Sequence, residues 1–93
     1  MSRVEIRRRH QHSDAELSAT AAAIGAKLTE RHGGSYQLGD QQLHFELPGA
    51  ATATVGWNSN ELVVAIELSA LAALLKPMVV AEIERQLDKH LTA

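Results

Sequence analysis

The chain has 93 residues, of which 45% are hydrophobic and 22% charged, with a formal net charge of −2 and no cysteine. This length predicts a single domain, residues 1–93, and the composition excludes a disordered or collagen-like chain. The lack of cysteine excludes disulfides and thiolate sites, and the charged N-terminus and lack of a long apolar run predict a cytoplasmic protein without a membrane span.

The N-terminal third predicts a strand followed by a helix. Val4 and Ile6 alternate with charged neighbours, which is the period of a half-buried strand over about residues 3–9. Ser13 precedes Glu16 by three residues, the spacing of a capping box, so we expect a helix to begin directly after Ser13. The apolar stripe of this helix consists of Leu17, Ala21, Ile24 and Leu28. A glycine pair at the far end predicts where the helix stops.

The middle of the chain has an apolar period of two and predicts four successive strands. Their apolar faces are Tyr36 and Leu38, then Leu43, Phe45 and Leu47, then Ala51, Ala53, Val55 and Trp57, and finally Leu62, Val64, Ile66 and Leu68. Turn sequences separate them at Gly39-Asp40, Pro48-Gly49 and Asn58-Ser59-Asn60. Short turns between strands are typical of an antiparallel meander.

The last segment, Ser69 to Leu91, predicts a helix that Pro77 interrupts. A proline inside a helix removes a hydrogen bond and clashes with the preceding turn, at a cost of about 3 kcal/mol. Two apolar stripes lie on opposite sides of this helix: Leu71, Leu74, Leu75 and Met78 on one, and Val80, Ile83, Leu87 and Leu91 on the other. Either the helix kinks so that both halves reach one core, or the first half covers the sheet while the second meets another surface.

The order of elements is strand, helix, four strands, helix, which predicts an α+β fold. We expect an antiparallel meander sheet of four to five strands with two helices on one face. This pattern leaves the neighbour of the first strand open.

The polar residues form no recognisable catalytic or metal-binding motif. No serine lies in a nucleophile elbow, and no glycine-rich loop is present. The five histidines lack both the helical i,i+4 spacing and a thiolate to complete a metal site: His10, His12, His32, His44 and His90. We therefore expect no enzyme activity, no catalytic residue, no metal and no cofactor.

The charged residues have ordinary structural explanations. Glu82 and Glu84 are expected on a solvated helix face, among basic residues of the same helix. The basic run Arg7–Arg9 is expected to protect an edge strand from pairing. The three aromatic side chains belong to predicted core faces, so platforms for base stacking are missing and we expect no nucleic-acid partner.

Four short stretches, in order, resemble one known family. They are His12-Ser13 before an alanine-rich helix, Gly39-Asp40 with Leu43 and Phe45, Leu68 with Leu74-Leu75-Lys76-Pro77, and Ile83-Glu84 with Leu87-Asp88-Lys89. Over about Ile6 to Leu91 the chain thereby resembles the bacterial polyhydroxyalkanoic acid system, or granule-region, proteins. It departs from them at Leu38, where we expect a tryptophan, and at Leu47-Pro48-Gly49, where we expect a basic residue, a glycine and a small apolar residue.

The resemblance implies a non-enzymatic accessory protein of polyhydroxyalkanoate granule metabolism in the cytoplasm. The partners it implies are the polyhydroxyalkanoate granule or granule-associated proteins, and it supplies no catalytic residues. We expect docking through one of the two apolar stripes, whose residues are Leu71, Leu74, Leu75, Met78, Val80, Ile83, Leu87 and Leu91.

Two alternatives remain open. The first is a small helix-grip-like module that binds an acyl chain or another hydrophobic ligand, in a pocket lined by Val55, Trp57, Ile66 and Leu74. The second is a homodimeric interaction module that buries the surplus apolar stripe between two copies.

Overall fold

The computed structural model describes residues 2–70 and 72–91 and has the predicted α+β order. Five strands and two helices follow one another as β1 (Ser2–Arg9), α1 (Asp14–His32), β2 (Ser35–Gly39), β3 (Gln42–Leu47), β4 (Ala51–Trp57), β5 (Glu61–Leu68) and α2 (Lys76–Leu91). A single turn of 3₁₀ helix, Ala72–Leu75, precedes α2. The predicted element order β-α-β-β-β-β-α is confirmed.

The strands form one antiparallel sheet in the order β1-β5-β4-β3-β2. Strands β2 to β5 are the predicted meander, in which each strand pairs with the next. Strand β1 completes the sheet beside β5, with Val4 opposite Ile66 and Ile6 opposite Val64. The chain therefore leaves β1, crosses one face of the sheet as α1, and returns strand by strand from the far edge.

The core lies between one face of the sheet and the two helices. The alternate residues of β4 and β5 that face the helices are almost completely buried, including Val55, Val64 and Ile66. Helix α1 contributes Leu17, Ala21, Ile24 and Leu28, and helix α2 contributes Val79, Ile83 and Leu87. The opposite face of the sheet has no helix over it and carries charged, threonine and glutamine side chains.

Local hydrogen bonds position the start of α1. The hydroxyl of Ser13 accepts from the Glu16 N–H at 3.2 Å, and the Ser13 N–H donates to a Glu16 carboxylate oxygen at 3.0 Å, which confirms the capping box. The Trp57 indole N–H donates to the Asp14 carboxylate at 2.8 Å. The first turn of α1 is thus attached to the end of β4.

The C-terminal segment is broken just before Pro77, and the arrangement differs from both interpretations of its apolar pattern. Pro77 lies in the first turn of α2, where a missing N–H costs no helical hydrogen bond. Ile83 and Leu87 are completely buried against the sheet and α1, whereas Leu74 is largely exposed. The second half of the segment, not the first, therefore covers the sheet.

Glu82 is a buried carboxylate, so its assignment to a solvated face is wrong. One of its oxygens contacts Arg31 of α1 at 2.6 Å, and the other contacts Arg85 at 3.4 Å. The reason is its position next to Ile83, on the side of α2 that faces α1. Glu84 is half-buried and lies 3.5 Å from Arg8, on the helix side of β1. These ion pairs attach α2 to α1 and to the edge of the sheet.

We predict that Leu87→Ala and Leu74→Ala have very different effects on stability. Leu87 is fully buried, so its truncation should lower the free energy of unfolding by about 2–5 kcal/mol, because it leaves a cavity in the core. Leu74 is exposed, so its truncation should change this free energy by less than about 0.5 kcal/mol. Urea denaturation followed by Trp57 fluorescence measures both. Equal losses would contradict the burial of the α2 stripe.

We predict a similar contrast between two glycines with positive φ. An alanine Cβ at Gly34 (φ +87°) would lie 2.4 Å from the Glu46 carbonyl oxygen, whereas one at Gly49 (φ +76°) would meet nothing within 4 Å. Gly34→Ala should therefore lower the free energy of unfolding by about 2 kcal/mol or more. Gly49→Ala should lower it by only about 1 kcal/mol, because of the backbone conformation alone. The same denaturation experiment compares them, and equal costs would contradict the close approach at Gly34.

Candidate docking surface

Three large apolar side chains that are close in sequence are exposed around the junction between the 3₁₀ turn and α2. Leu74 is 86% exposed, Met78 is 61% exposed and Leu75 is 37% exposed. We call these three residues the apolar patch. The fourth member of the predicted stripe, Leu71, lies outside the described residues. Exposed apolar side chains close together in sequence are candidates for contact with a partner surface.

The backbone below the apolar patch is firmly anchored. The Ser69 N–H donates to the Ala50 carbonyl at 2.7 Å, which joins the end of β5 to the β3–β4 turn. The Ser69 hydroxyl accepts from the Ala72 N–H at 3.2 Å, and the Ser69 carbonyl accepts from the Ala73 N–H at 2.9 Å. Ala72 is buried beneath the turn. The small residue therefore points inward, and the leucines that follow point outward.

The only charged residue in the sequence 72–81, which carries the apolar patch, is a lysine. Lys76 lies between Leu75 and Met78 and is half-buried. The first turn of α2 contains no acidic residue. A long lysine side chain covers apolar surface with its methylene groups and keeps its ammonium group in water. The patch can therefore contact an apolar surface and donate a hydrogen bond from its edge.

The second predicted stripe is part of the core. Ile83 and Leu87 are fully buried, and Val80 and Leu91 are half-buried and pack against the core. The expectation that this stripe serves as a free docking surface is therefore wrong for its two central residues. The physical reason is that α2 alone covers its part of the sheet once Pro77 has ended the preceding turn.

The structure does not bring the predicted ligand pocket together. Val55 and Ile66 are packed inside the core, and the exposed Leu74 lies outside it. Trp57 is buried next to the start of α1, where its indole is engaged by Asp14. The small side chain of Ala53 is itself buried, because the helices pack closely against β4 instead of leaving a cavity.

A polar groove of about 900 Å³ lies at one end of the sheet, and sequence patterns did not indicate it. It is lined by Arg9, His10, Gln11, His12, Asn58, Asn60, Glu61 and Leu91. His10 is buried and accepts from the His12 N–H at 3.1 Å through Nδ1, so its Nε2–H donates to the Asn58 carbonyl at 2.8 Å. The only sequence signal for this contact is the strand register continued one residue beyond Arg9.

His12 connects the two helices at this groove. Its Nε2 lies 3.2 Å from the Leu91 carbonyl in the last turn of α2, and its Nδ1 lies 3.5 Å from a Glu16 carboxylate oxygen in the first turn of α1. Both contacts are with acceptors at helix ends. Among residues 2–70 and 72–91, no three histidine, aspartate or glutamate side chains form a group that could hold a metal ion.

The contacts of the capping box also act on the Glu16 carboxyl group. Hydrogen bonds from the Ser13 backbone and side chain, and then the contact with His12, lower the pKa of Glu16 below its ordinary value of 4.5. The ionised carboxylate is therefore the form that caps α1.

Comparison with known protein families covers nearly the whole described chain. Residues 4–91 match the family of polyhydroxyalkanoic acid system proteins, a span that includes most of β1, strands β2 to β5, both helices and the apolar patch. The chain belongs to this family. The resemblance seen in its sequence motifs is thereby confirmed.

This polyhydroxyalkanoic acid system protein also resembles a solved structure. The NMR structure of PA4090 from Pseudomonas aeruginosa superposes with a TM-score of 0.61 at 13% sequence identity, covering 100% of this chain and 88% of that one. At this identity the similarity shows a shared fold. No curated protein matches the sequence. Neither helix in the described part of the chain is long and apolar enough to cross a membrane.

We predict that Glu16 makes the stability of the protein depend on acidic pH. Because its pKa is lower in the folded state than the unfolded value of 4.5, the stabilisation is complete above that pH and is lost as the pH falls through the folded-state value. Unfolding free energies of wild type and Glu16→Gln, measured across this range, should therefore converge as the pH falls. Ser13→Ala should weaken the same pH dependence, and an unchanged dependence in both variants would contradict the assignment.

Proposed function

We propose that this protein is a non-enzymatic accessory protein of polyhydroxyalkanoate granule metabolism, and that it adsorbs to the granule polyester through the apolar patch. The observation that carries the proposal is the exposure of Leu74, Leu75 and Met78 on an anchored turn, in a family named for the polyester system. In this proposal the protein works in the bacterial cytoplasm, at the granule surface and beside granule-associated proteins.

The chemistry of the polyester suits this surface. A polyhydroxyalkanoate presents alkyl groups together with ester carbonyls, which accept hydrogen bonds and carry no charge. The apolar patch can bury its side chains against the alkyl groups, while the Lys76 ammonium group donates to a carbonyl. Each fully buried side chain of this size contributes about 1.5–3 kcal/mol, from which the cost of immobilisation must be subtracted. Three such side chains support reversible adsorption.

The environment of His10 and His12, the two histidines at the groove, supports a role without catalysis. Both ring nitrogens of His10 are engaged, one by the His12 N–H and the other by the Asn58 carbonyl. His12 contacts a carboxylate and a backbone carbonyl at the ends of the two helices. These contacts are typical of side chains that fix a loop, since a general base needs a free nitrogen directed at a substrate.

We predict that removal of the apolar patch reduces adsorption to polyester. The double variant Leu74→Gln/Met78→Gln should bind amorphous polyhydroxybutyrate particles at least about tenfold more weakly than wild type, because two apolar contacts are lost. The matched control is Val63→Gln, which replaces a half-buried apolar residue on the open face of the sheet, away from the apolar patch. Particle sedimentation followed by quantification of bound protein measures the affinity, and circular dichroism verifies folding.

Unchanged adsorption of the folded double variant would contradict the proposal. The same assay is also run with particles that already carry granule-associated proteins. Binding to these particles alone would assign the apolar patch to a protein partner and exclude direct adsorption to the polymer.

A further inference from the structure

The two edge strands of the sheet differ sharply in charge. Strand β1 carries four arginines and one glutamate, and its side chains pair with β5 in contacts such as Arg3 with Glu67 at 3.3 Å and Arg7 with Glu61 at 2.9 Å. Strand β2, at the other edge, is Ser35–Gly39 and contains no charged residue and no proline. Charged side chains on an edge strand hinder its pairing with another sheet. Strand β2 therefore lacks the protection that β1 has.

Strand β2 also exposes apolar side chains at the rim of the core. Tyr36 is 37% exposed and Leu38 is 46% exposed, both on the side of the sheet that the helices cover. The Tyr36 ring packs on Gly25 of α1 so closely that a Cβ at that position would lie 2.7 Å from Cγ of the ring. Ser18 and Ala22, small and half-buried, lie on the same side of α1 as Gly25. The apolar layer thus extends to the edge strand at Tyr36 and Leu38.

The backbone of β2 completes this surface. In an antiparallel sheet, alternate residues direct their N–H and C=O groups to opposite sides of the strand. In the described part of the chain, β2 has β3 as its only neighbouring strand. Its outward-directed backbone groups are therefore open to a further strand.

We propose that a second copy of this chain pairs with β2, antiparallel and around a two-fold axis at Gln37. This register places Tyr36 opposite the partner's Leu38, and Leu38 opposite the partner's Tyr36, on the face covered by the helices. Aromatic and aliphatic side chains directly opposite each other stabilise an antiparallel pair. Gln37 then lies opposite the partner's Gln37 on the open face, and Ser35 lies opposite the partner's Gly39. The two sheets become one, and the helices of both copies cover the same face.

The sequence of β2 is self-complementary in this register, as pairing with a second copy requires. The residue on the two-fold axis, Gln37, meets its own copy, so a charged residue at that position would repel itself. Strand β2 meets this condition, since it is uncharged throughout. A head-to-tail contact between β2 and the β1 edge of another copy would instead leave free edges and propagate without closure. The five charged residues of β1 work against that contact.

Analytical ultracentrifugation of the full chain tests the proposal. Wild type should sediment as a concentration-dependent dimer between low and high micromolar concentrations. Gln37→Lys should weaken the dimer at least about tenfold, because it places two like charges directly opposite each other. Thr52→Lys is the matched control, since it adds the same charge to the open face two strands away, and it should dimerise like wild type.

A crosslinking experiment tests the register independently. The chain contains no cysteine, so Gln37→Cys introduces a single thiol that lies opposite its own copy. Directly opposed residues in an antiparallel pair have Cα atoms about 4.5–5.5 Å apart, which a disulfide spans. Mild oxidation should convert Gln37→Cys to a covalent dimer far faster than Thr52→Cys.

The other outcomes are decisive as well. A wild-type monomer at several hundred micromolar, or a dimer that Gln37→Lys leaves as tight as wild type, would overturn the proposal. Loss of the dimer in Leu74→Gln/Met78→Gln but not in Gln37→Lys would assign the interface to the apolar patch instead. Retention of the dimer in that double variant is the expected result, and it makes this inference independent of adsorption to polyester.

Discussion

A proline in the interior of an α-helix loses a hydrogen bond and collides with the preceding turn, and the C-terminal segment of this chain is organised around that constraint. Because Pro77 can be accommodated only in a first turn, α2 begins at Lys76, and the residues before it form a separate 3₁₀ turn. The phase of α2 is then set by Val79, Ile83 and Leu87, which fill the core beside α1. Leu74, Leu75 and Met78 remain exposed as a consequence, so the apolar patch results from the same break that places α2 in the core.

Polar contacts between α1 and α2 hold the two helices together at two points along their length. The buried Glu82 carboxylate joins α2 to Arg31 of α1, and His12 joins the last turn of α2 to the first turn of α1. A buried carboxylate is costly unless it is paired, so this ion pair favours one docking of the helices over others. With the helices fixed on one face, the sheet retains an open face and two edges. The apolar patch and the uncharged edge strand β2 are then separate surfaces, and each has its own chemistry.

Much of the fold followed from local patterns, because alternation and capping are properties of neighbouring residues. The strands, the capping box of Ser13 and Glu16, and the break at Pro77 belong to this class. Local patterns did not predict which face of each helix packs on the sheet, or which elements are neighbours. Two opposed stripes on a helix are equivalent until a sheet covers one of them, so the exposure of Leu74 and the burial of Ile83 required the tertiary structure. The same holds for β1 beside β5 and for Glu82, whose partner Arg31 is distant in sequence.

The proposed function requires that the apolar patch of Leu74, Leu75 and Met78 meets the polyester while the strands keep their native pairing. Hydrogen exchange with mass spectrometry, on the protein free in solution and adsorbed to amorphous polyhydroxybutyrate particles, tests this directly. We expect adsorption to slow exchange in the peptide covering Ala72–Met78 and to leave exchange in the peptides of β3, β4 and β5 unchanged. Slower exchange confined to the strands, or faster exchange throughout the chain from unfolding on the surface, would contradict it.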